Sequence, residues 1–199
     1  MYKVGITGGI GSGKSTVAKL LSERGVAIYD SDSRAKALMM GDAALRAQLI
    51  EAFGAECFCG EELNRRWLAD RVFTDGEALK RLNSIVHPAV MDDFDRWAEA
   101  QEGDYVVLES AILFEAGLES RVDVAVSVLA PRDLRVERAM ARDGASREMI
   151  EERINNQMSD DERADRSKYV VVNIVLDDLE EDVEQLHRRL SYDAHASRH

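Results

Sequence analysis

Positive charge is in short supply in this chain. Its 199 residues carry 26 Lys and Arg against 38 Asp and Glu, a formal net charge of −12. A surface this acidic repels nucleic-acid backbones and anionic membranes, so neither is expected as a partner. It repels an anionic nucleotide as well. Any phosphate site must therefore be built locally, from backbone N–H groups and a few placed cations. Long apolar runs are missing too, and none reaches the roughly 20 residues that span a bilayer. The chain opens directly on a strand-like run, Tyr2 to Thr7, which leaves no room for a signal peptide. A cytoplasmic protein is the expectation. Cysteine is scarce. Cys57 and Cys59 stand one residue apart, a spacing at which a disulfide is strained. A metal site would need further ligands, and His87, His187, His195 and His199 are distant in sequence. Two free thiols in a reducing compartment are expected. There is no internal repeat and no low-complexity linker. Apolar residues make up 45%, enough to fill one core and to exclude wholesale disorder.

The length suits one α/β domain with insertions. Five short runs read as strands: Lys3–Thr7, Val26–Asp30, Tyr105–Glu109, Asp123–Leu129 and Tyr169–Leu176. Three are near-continuously apolar and β-branched, as expected where helices cover both sheet faces. Helical patterns lie between them: Lys14–Arg24, Ser33–Met40, Asp42–Phe53, Leu63–Phe73, Gly76–Gln101, Arg132–Arg142, Arg147–Gln157 and Leu179–Leu190. This alternation predicts a five-stranded, doubly wound parallel sheet. The gap between the second and third strands is longer than one crossover needs. It predicts a helical insertion over about residues 34–101. A second insertion, roughly 131–166, is dense in Arg, Asp and Glu and reads as a helical lid. Asp193 to His199 are expected to form a loose tail.

The segment Gly8-Gly9-Ile10-Gly11-Ser12-Gly13-Lys14-Ser15, followed by Thr16, fits the phosphate-binding pattern G-x-x-x-x-G-K-[ST]. It follows an apolar strand and opens an amphipathic helix, the strand–loop–helix context that the chemistry requires. Glycines let the backbone curl so that successive N–H groups point at phosphate oxygens. The helix N-terminus adds partial positive charge. Lys14 is placed to reach the β- and γ-phosphates, and Ser15 to offer a hydroxyl to Mg²⁺. A glycine-rich turn with a chance lysine is the bland alternative, and motif and context together oppose it.

Three features favour a kinase over other users of this loop. There is no Asn-Lys-x-Asp segment to read guanine. The second strand ends in Tyr29-Asp30-Ser31-Asp32, and ligands of open α/β sheets sit beyond the carboxyl ends of the strands. A carboxylate there can accept a proton from an attacking hydroxyl. Arg138 and Arg142, at i and i+4, share a helix face and can clamp a phosphoryl group. Each has a plainer reading. One of Asp30, Ser31 or Asp32 can cap the next helix, which still leaves another free. The arginines can form surface ion pairs with Glu137 or Asp143, worth at most about 1 kcal/mol.

Further segments resemble the dephospho-coenzyme A kinase family. They are Gly5 to Thr16, Asp30-Ser31-Asp32, Leu68-Ala69-Asp70-Arg71-Val72-Phe73, Leu82-Asn83-Ser84-Ile85-Val86-His87-Pro88, Leu113-Phe114-Glu115-Ala116-Gly117, Arg138-Ala139-Met140-Ala141-Arg142-Asp143 and Gln157. They fall in family order from Gly5 to Asn173. The resemblance implies a P-loop fold and a reaction in which ATP, with Mg²⁺, phosphorylates the ribose 3′-hydroxyl of dephospho-coenzyme A. It implies that Gly11, Ser12, Gly13, Lys14, Ser15 and Thr16 hold ATP, that Asp32 rather than Asp30 is the general base, and that Arg138 and Arg142 belong to the lid. Glu109 occupies the position of a family aspartate and would organise Mg²⁺ through water. His87 would place substrate, or else is a histidine opening a turn before Pro88. Three departures stand out. Ala111-Ile112-Leu113 replaces Pro-Leu-Leu, Ser167-Lys168 replaces Ala-Asp, and Asn173 is followed by Ile174 and Val175 without the usual glycine, which bears on adenine contacts. A monomer or weak homo-oligomer is expected. A kinase for another small acceptor and a regulatory nucleotide switch are the rival readings. The His-Pro-containing insertion favours the coenzyme A family over the first, and a need for acceptor in nucleotide turnover separates the second.

Overall fold

The computed structural model describes residues 1–198, with the side chains of residues 73, 74, 176 and 177 left aside; His199 lies outside the described residues. Along the chain run β1 (Tyr2–Thr7), α1 (Lys14–Ser22), β2 (Ala27–Asp30), α2 (Ser31–Gly41), α3 (Ala43–Phe53), β3 (Phe58–Cys59), β4 (Glu62–Leu63), α4 (Arg65–Thr74), α5 (Gly76–Glu99), β5 (Tyr105–Glu109), β6 (Val124–Leu129), α6 (Arg132–Asp143), α7 (Arg147–Asn155), α8 (Asp160–Arg166), β7 (Tyr169–Val172) and α9 (Leu176–Ala196). Five strands form one parallel sheet in the order β2-β5-β1-β6-β7.

The central position of β1 follows from its composition. Val4 and Ile6 are fully buried, and they pack with Val107, Val126, Val128 and Val171 of neighbouring strands. Val17, Leu20 and Leu21 of α1 and Leu179, Val183, Leu186 and Leu190 of α9 close over that face. Such strands, covered by helices, carry apolar residues almost continuously. The register sets Ile6 beside Glu109 and Thr7 beside Ser127. The carboxyl ends of the middle strands are therefore level with the turn that follows Thr7.

The chain divides into two compact units, one of residues Met1–Tyr29 with Ala98 onward, the other Asp30–Trp97. The second unit is helical, with a two-residue hairpin of β3 and β4. Polar side chains mark its helix starts. Asp42 accepts from Ala44 N and Leu45 N at 2.8 and 2.9 Å, and Asn64 from Trp67 N at 3.3 Å. Arg34 of α2 holds Asp93 of α5 through Nε at 2.9 Å and Nη2 at 2.6 Å. Both cysteines are free thiols; Cys57 is buried in a 3₁₀ turn and Cys59 is exposed on β3.

Three expectations need correction. The last strand ends at Val172, four residues early, because Asn173 turns aside to donate to the carbonyl of Ser12 at 2.9 Å. The second helical segment starts at Ser31, because Asp30 caps it. The expected tail from Asp193 is largely helix: α9 runs to Ala196, and Ala194 is fully buried. Asp193 accepts from Lys168 Nζ at 2.6 Å and Tyr169 Oη at 3.0 Å, and His195 meets Asp104 at 2.8 Å. Truncation before Tyr192 is accordingly expected to cost about 1–3 kcal/mol of stability. Urea denaturation measures this, and an unchanged midpoint would mean the end of α9 contributes nothing.

Candidate active site

The turn between β1 and α1 is the focus. Ser12 N donates to the Gly9 carbonyl at 3.0 Å and closes it. Gly13 then begins α1 in the left-handed region, at φ 89°, and its carbonyl accepts from Thr16 N and Val17 N at 2.9 and 3.1 Å. No side chain caps α1 and no acidic residue lies in its first turn. By contrast α2, α3, α4, α7 and α8 each have a side-chain cap. The first N–H groups of α1, with the positive end of its dipole, are thus available to an anion.

Neighbouring groups demand glycine in this turn, at Gly11 and Gly13 among others. At Gly11 (φ 75°) a Cβ would lie 2.1 Å from the backbone oxygen of Arg135; at Gly13 it would lie 1.8 Å from Nδ2 of Asn173. The outer side of the turn is held by other elements. The Ile10 N–H donates to Gln157 Oε1 at 2.9 Å, Arg135 Nε donates to the Ile10 carbonyl at 3.0 Å, and Asn173 holds Ser12.

On the other side stands Glu109, at the end of β5. Its Oε1 accepts from Lys14 Nζ at 2.5 Å and from Ser15 Oγ at 2.7 Å. Both members of the ion pair are mostly buried, with side chains 14% and 10% exposed. An ammonium, a hydroxyl and a carboxylate therefore converge beside a run of backbone N–H groups. Lys14, Ser15 and Glu109, singled out from sequence, are brought together here.

Asp30 accepts from Asp32 N and Ser33 N at 3.0 and 3.2 Å, and from Ser33 Oγ, which occupies it as a helix cap. Asp32 is exposed in the first turn of α2, and its carboxylate has no hydrogen bond or ion pair among the described residues. His87 is half-buried in the middle of α5, and burial pushes its pKa below the ordinary imidazole value. Pro88 lies inside the same helix, which corrects the idea of a turn at that point. Asp32 and His87 both belong to the second unit. There, α3, α4 and α5 also line an open concavity of about 960 Å³, with Trp67, Arg71, Lys80, Arg81 and Ser84 in its walls.

Arg138 and Arg142 hold different partners. Arg138 donates to the carbonyls of Asn173 and Ile174, both at 3.1 Å, and so grips the segment after β7. Arg142 pairs with its own neighbour Asp143 at 2.7 Å, the plainer alternative named above. The guanidinium holds that exposed carboxyl below the usual range. Sequence reasoning missed Arg135. Its one signal was position, since it shares the buried stripe of α6 with Val136 and Ala139.

The fold and this loop define a P-loop nucleotide-binding protein of the kinase type. The dephospho-CoA kinase family profile matches residues 2–178. A dephospho-CoA kinase of Bacteroides fragilis is 45% identical over 172 residues, spanning 86% of this chain and 84% of that protein. A solved Thermus thermophilus structure, TT1252, superposes with a TM-score of 0.83 at 38% identity, covering 96% of this chain and 97% of that one. A Campylobacter jejuni dephospho-CoA kinase shares the fold at a TM-score of 0.69 and 20% identity, covering 96% and 98%. The chain belongs to the dephospho-CoA kinase family.

Two glycines make a matched test. Gly25, at φ 84°, has nothing within 4 Å of an added Cβ. Gly25→Ala is expected to cost only the left-handed strain, on the order of 1–2 kcal/mol, and to leave ATP binding alone. Gly11→Ala adds a clash with a backbone carbonyl and is expected to weaken ATP binding roughly ten- to a hundredfold. Equilibrium ATP binding and thermal melting of both variants check this; equal ATP affinities would contradict it.

Proposed function

We propose that the chain transfers the γ-phosphoryl group of ATP to the ribose 3′-hydroxyl of dephospho-coenzyme A, giving coenzyme A and ADP in the last step of coenzyme A synthesis. One observation carries this reading at the site: an uncapped helix N-terminus, opened by left-handed Gly13, with Lys14 and Ser15 meeting on Glu109. Gly11, Ser12, Gly13, Lys14, Ser15 and Thr16 hold the triphosphate. Loop amides bind its oxygens, and Lys14 takes the charge of the β- and γ-phosphates.

The donor set suits Mg²⁺. No group of three or more His, Cys, Asp or Glu side chains forms a metal cage among the described residues. One hydroxyl and one carboxylate oxygen lie 2.7 Å apart beside the loop. Mg²⁺ favours such a site, keeping several waters and taking phosphate oxygens as further ligands. Ser15 would bind it directly and Glu109 through water. When bound, it would supply charge neutralisation between the phosphates.

On the acceptor side, Asp32 is the general base. Asp30 is committed to capping, whereas the Asp32 carboxylate is free to orient a hydroxyl and take its proton. Burial lowers the pKa of His87 and favours its neutral form, which would orient substrate by hydrogen bonding rather than by charge. The helices of residues 131–166 act as the lid, with Arg138 and Arg142 as its cations. The enzyme acts as a monomer or weak homo-oligomer in the cytoplasm. No helix among the described residues is long and apolar enough to cross a membrane.

Mass spectrometry of a reaction with ATP, Mg²⁺ and dephospho-coenzyme A is expected to show one added phosphoryl group at the 3′ position. Nucleotide hydrolysis that ignores the acceptor would instead favour a regulatory switch. A late proton transfer from a largely dissociative transition state leaves the base a limited share of the acceleration. Asp32→Asn is therefore expected to lower kcat by about 10²–10⁴-fold while ATP affinity holds. A normal kcat in steady-state kinetics would remove Asp32 from the role.

A further inference from the structure

The phosphate loop is attached on its outer side to the helices that follow β6. Ile10 stands between two glycines, and its side chain packs on a small apolar cluster of Val136, Ala139, Ile150 and Ile154. Its N–H donates to Gln157 and its carbonyl accepts from Arg135. The Ile10 peptide is therefore held from both sides. Arg135 is held in turn. Its Nη1 reaches both oxygens of Asp160, at 2.9 and 2.7 Å, and its side chain is only 5% exposed. Asp160 also lies 3.5 Å from Nη1 of the fully buried Arg163, whose Nη2 bonds Glu115 at 2.8 Å.

We propose that Arg135 is a positioning residue for ATP, setting the shape of the phosphate loop through the Ile10 peptide. The inference rests on the reading of that loop as the site of ATP's phosphates. A guanidinium is a rigid fork. Here one arm points at the loop carbonyl while the other is anchored on Asp160, so the carboxylate fixes where the loop sits. A turn this rich in glycine samples many shapes, and only those with N–H groups turned inward bind phosphate. Apparent affinity falls in proportion to the fraction of competent loops. Loss of the brace thus acts on ATP binding more than on chemistry in the bound complex.

Three variants test this by calorimetric titration with ATP alone, alongside thermal melting. Arg135→Met is expected to weaken ATP binding about tenfold, with kcat lowered by a smaller factor. Arg135→Lys keeps the ion pair with Asp160, so its melting temperature stays near that of the wild type. Lys offers one nitrogen where the guanidinium offers two, Nε to the Ile10 carbonyl and Nη1 to Asp160, so its ATP affinity is expected to fall as in Arg135→Met. Should Arg135→Met fail to fold, Arg135→Lys and Ile10→Ala carry the measurement, the latter removing the side chain from its apolar seat. Lowered melting with wild-type ATP affinity in these variants would make Arg135 a purely structural residue and overturn the proposal. A wild-type protein that binds no ATP would bring down the reading of the loop itself.

Discussion

An acidic molecule can hold a triphosphate only where backbone N–H groups and a few placed cations supply the positive potential locally. That constraint governs the arrangement around α1. A helix that begins with a capping carboxylate satisfies its first N–H groups at once, as Asp30 and Asp42 do for α2 and α3. The start of α1 forgoes this, and because glycine stands at the cap the cost is only about a few tenths of a kcal/mol in helix stability. Gly13 in place of Ser or Asp leaves those donors pointing outward, and the register of β1 with β5 brings Glu109 alongside to hold Lys14. The carboxylate is unfavourable for an approaching phosphate, but it pairs with a mostly buried ammonium and orients it.

Much of this was legible in the sequence, because the phosphate loop is a local device. Its glycines, lysine and serine lie within eight residues, and strand and helix adjoin directly. The core strands were legible for a similar reason: valine- and isoleucine-rich runs fit a sheet covered by helices. Errors came where a distant partner decides. The run from Tyr169 through Val175 has strand composition throughout, yet Asn173 and Ile174 are claimed by Ser12 and Arg138, contacts with no trace in local pattern. The final helix extends past Leu190 because Lys168, Tyr169 and Asp104 hold Asp193 and His195. The short helix α8 had a local signal in Ser159 and Glu162, a reciprocal cap that lay hidden in a segment crowded with charge.

Arginine shows most plainly where pattern reading stops. Arg135, Arg138 and Arg142 fall within eight residues of one helix, and spacing alone favours the last two. Three different environments result. Arg142 is bound to an exposed neighbouring aspartate, Arg138 to the carbonyls after β7, and Arg135 is sealed between the phosphate loop and Asp160. Composition cannot rank them. Burial does, because a guanidinium out of water must be matched by acceptors, and those acceptors are then fixed in turn.

The buried charges also bear on how the first unit is organised. Arg163, without contact with solvent, donates to the Met158 carbonyl at 2.6 Å and to Glu115 at 2.8 Å, while Glu115 also accepts from Met158 N at 3.3 Å. Through Asp160 this cluster joins Arg135 and so the loop. Replacing such a network by an apolar core of equal volume is often neutral or stabilising. Such a core would not give direction, since apolar contacts can slide where forked hydrogen bonds cannot. The network therefore makes physical sense as a means of orienting one peptide, that of Ile10, relative to helices α6, α7 and α8. Through Gln157, Arg135 and Asp160, hydrogen bonds thus join the loop at Ile10 to the helices that follow β6.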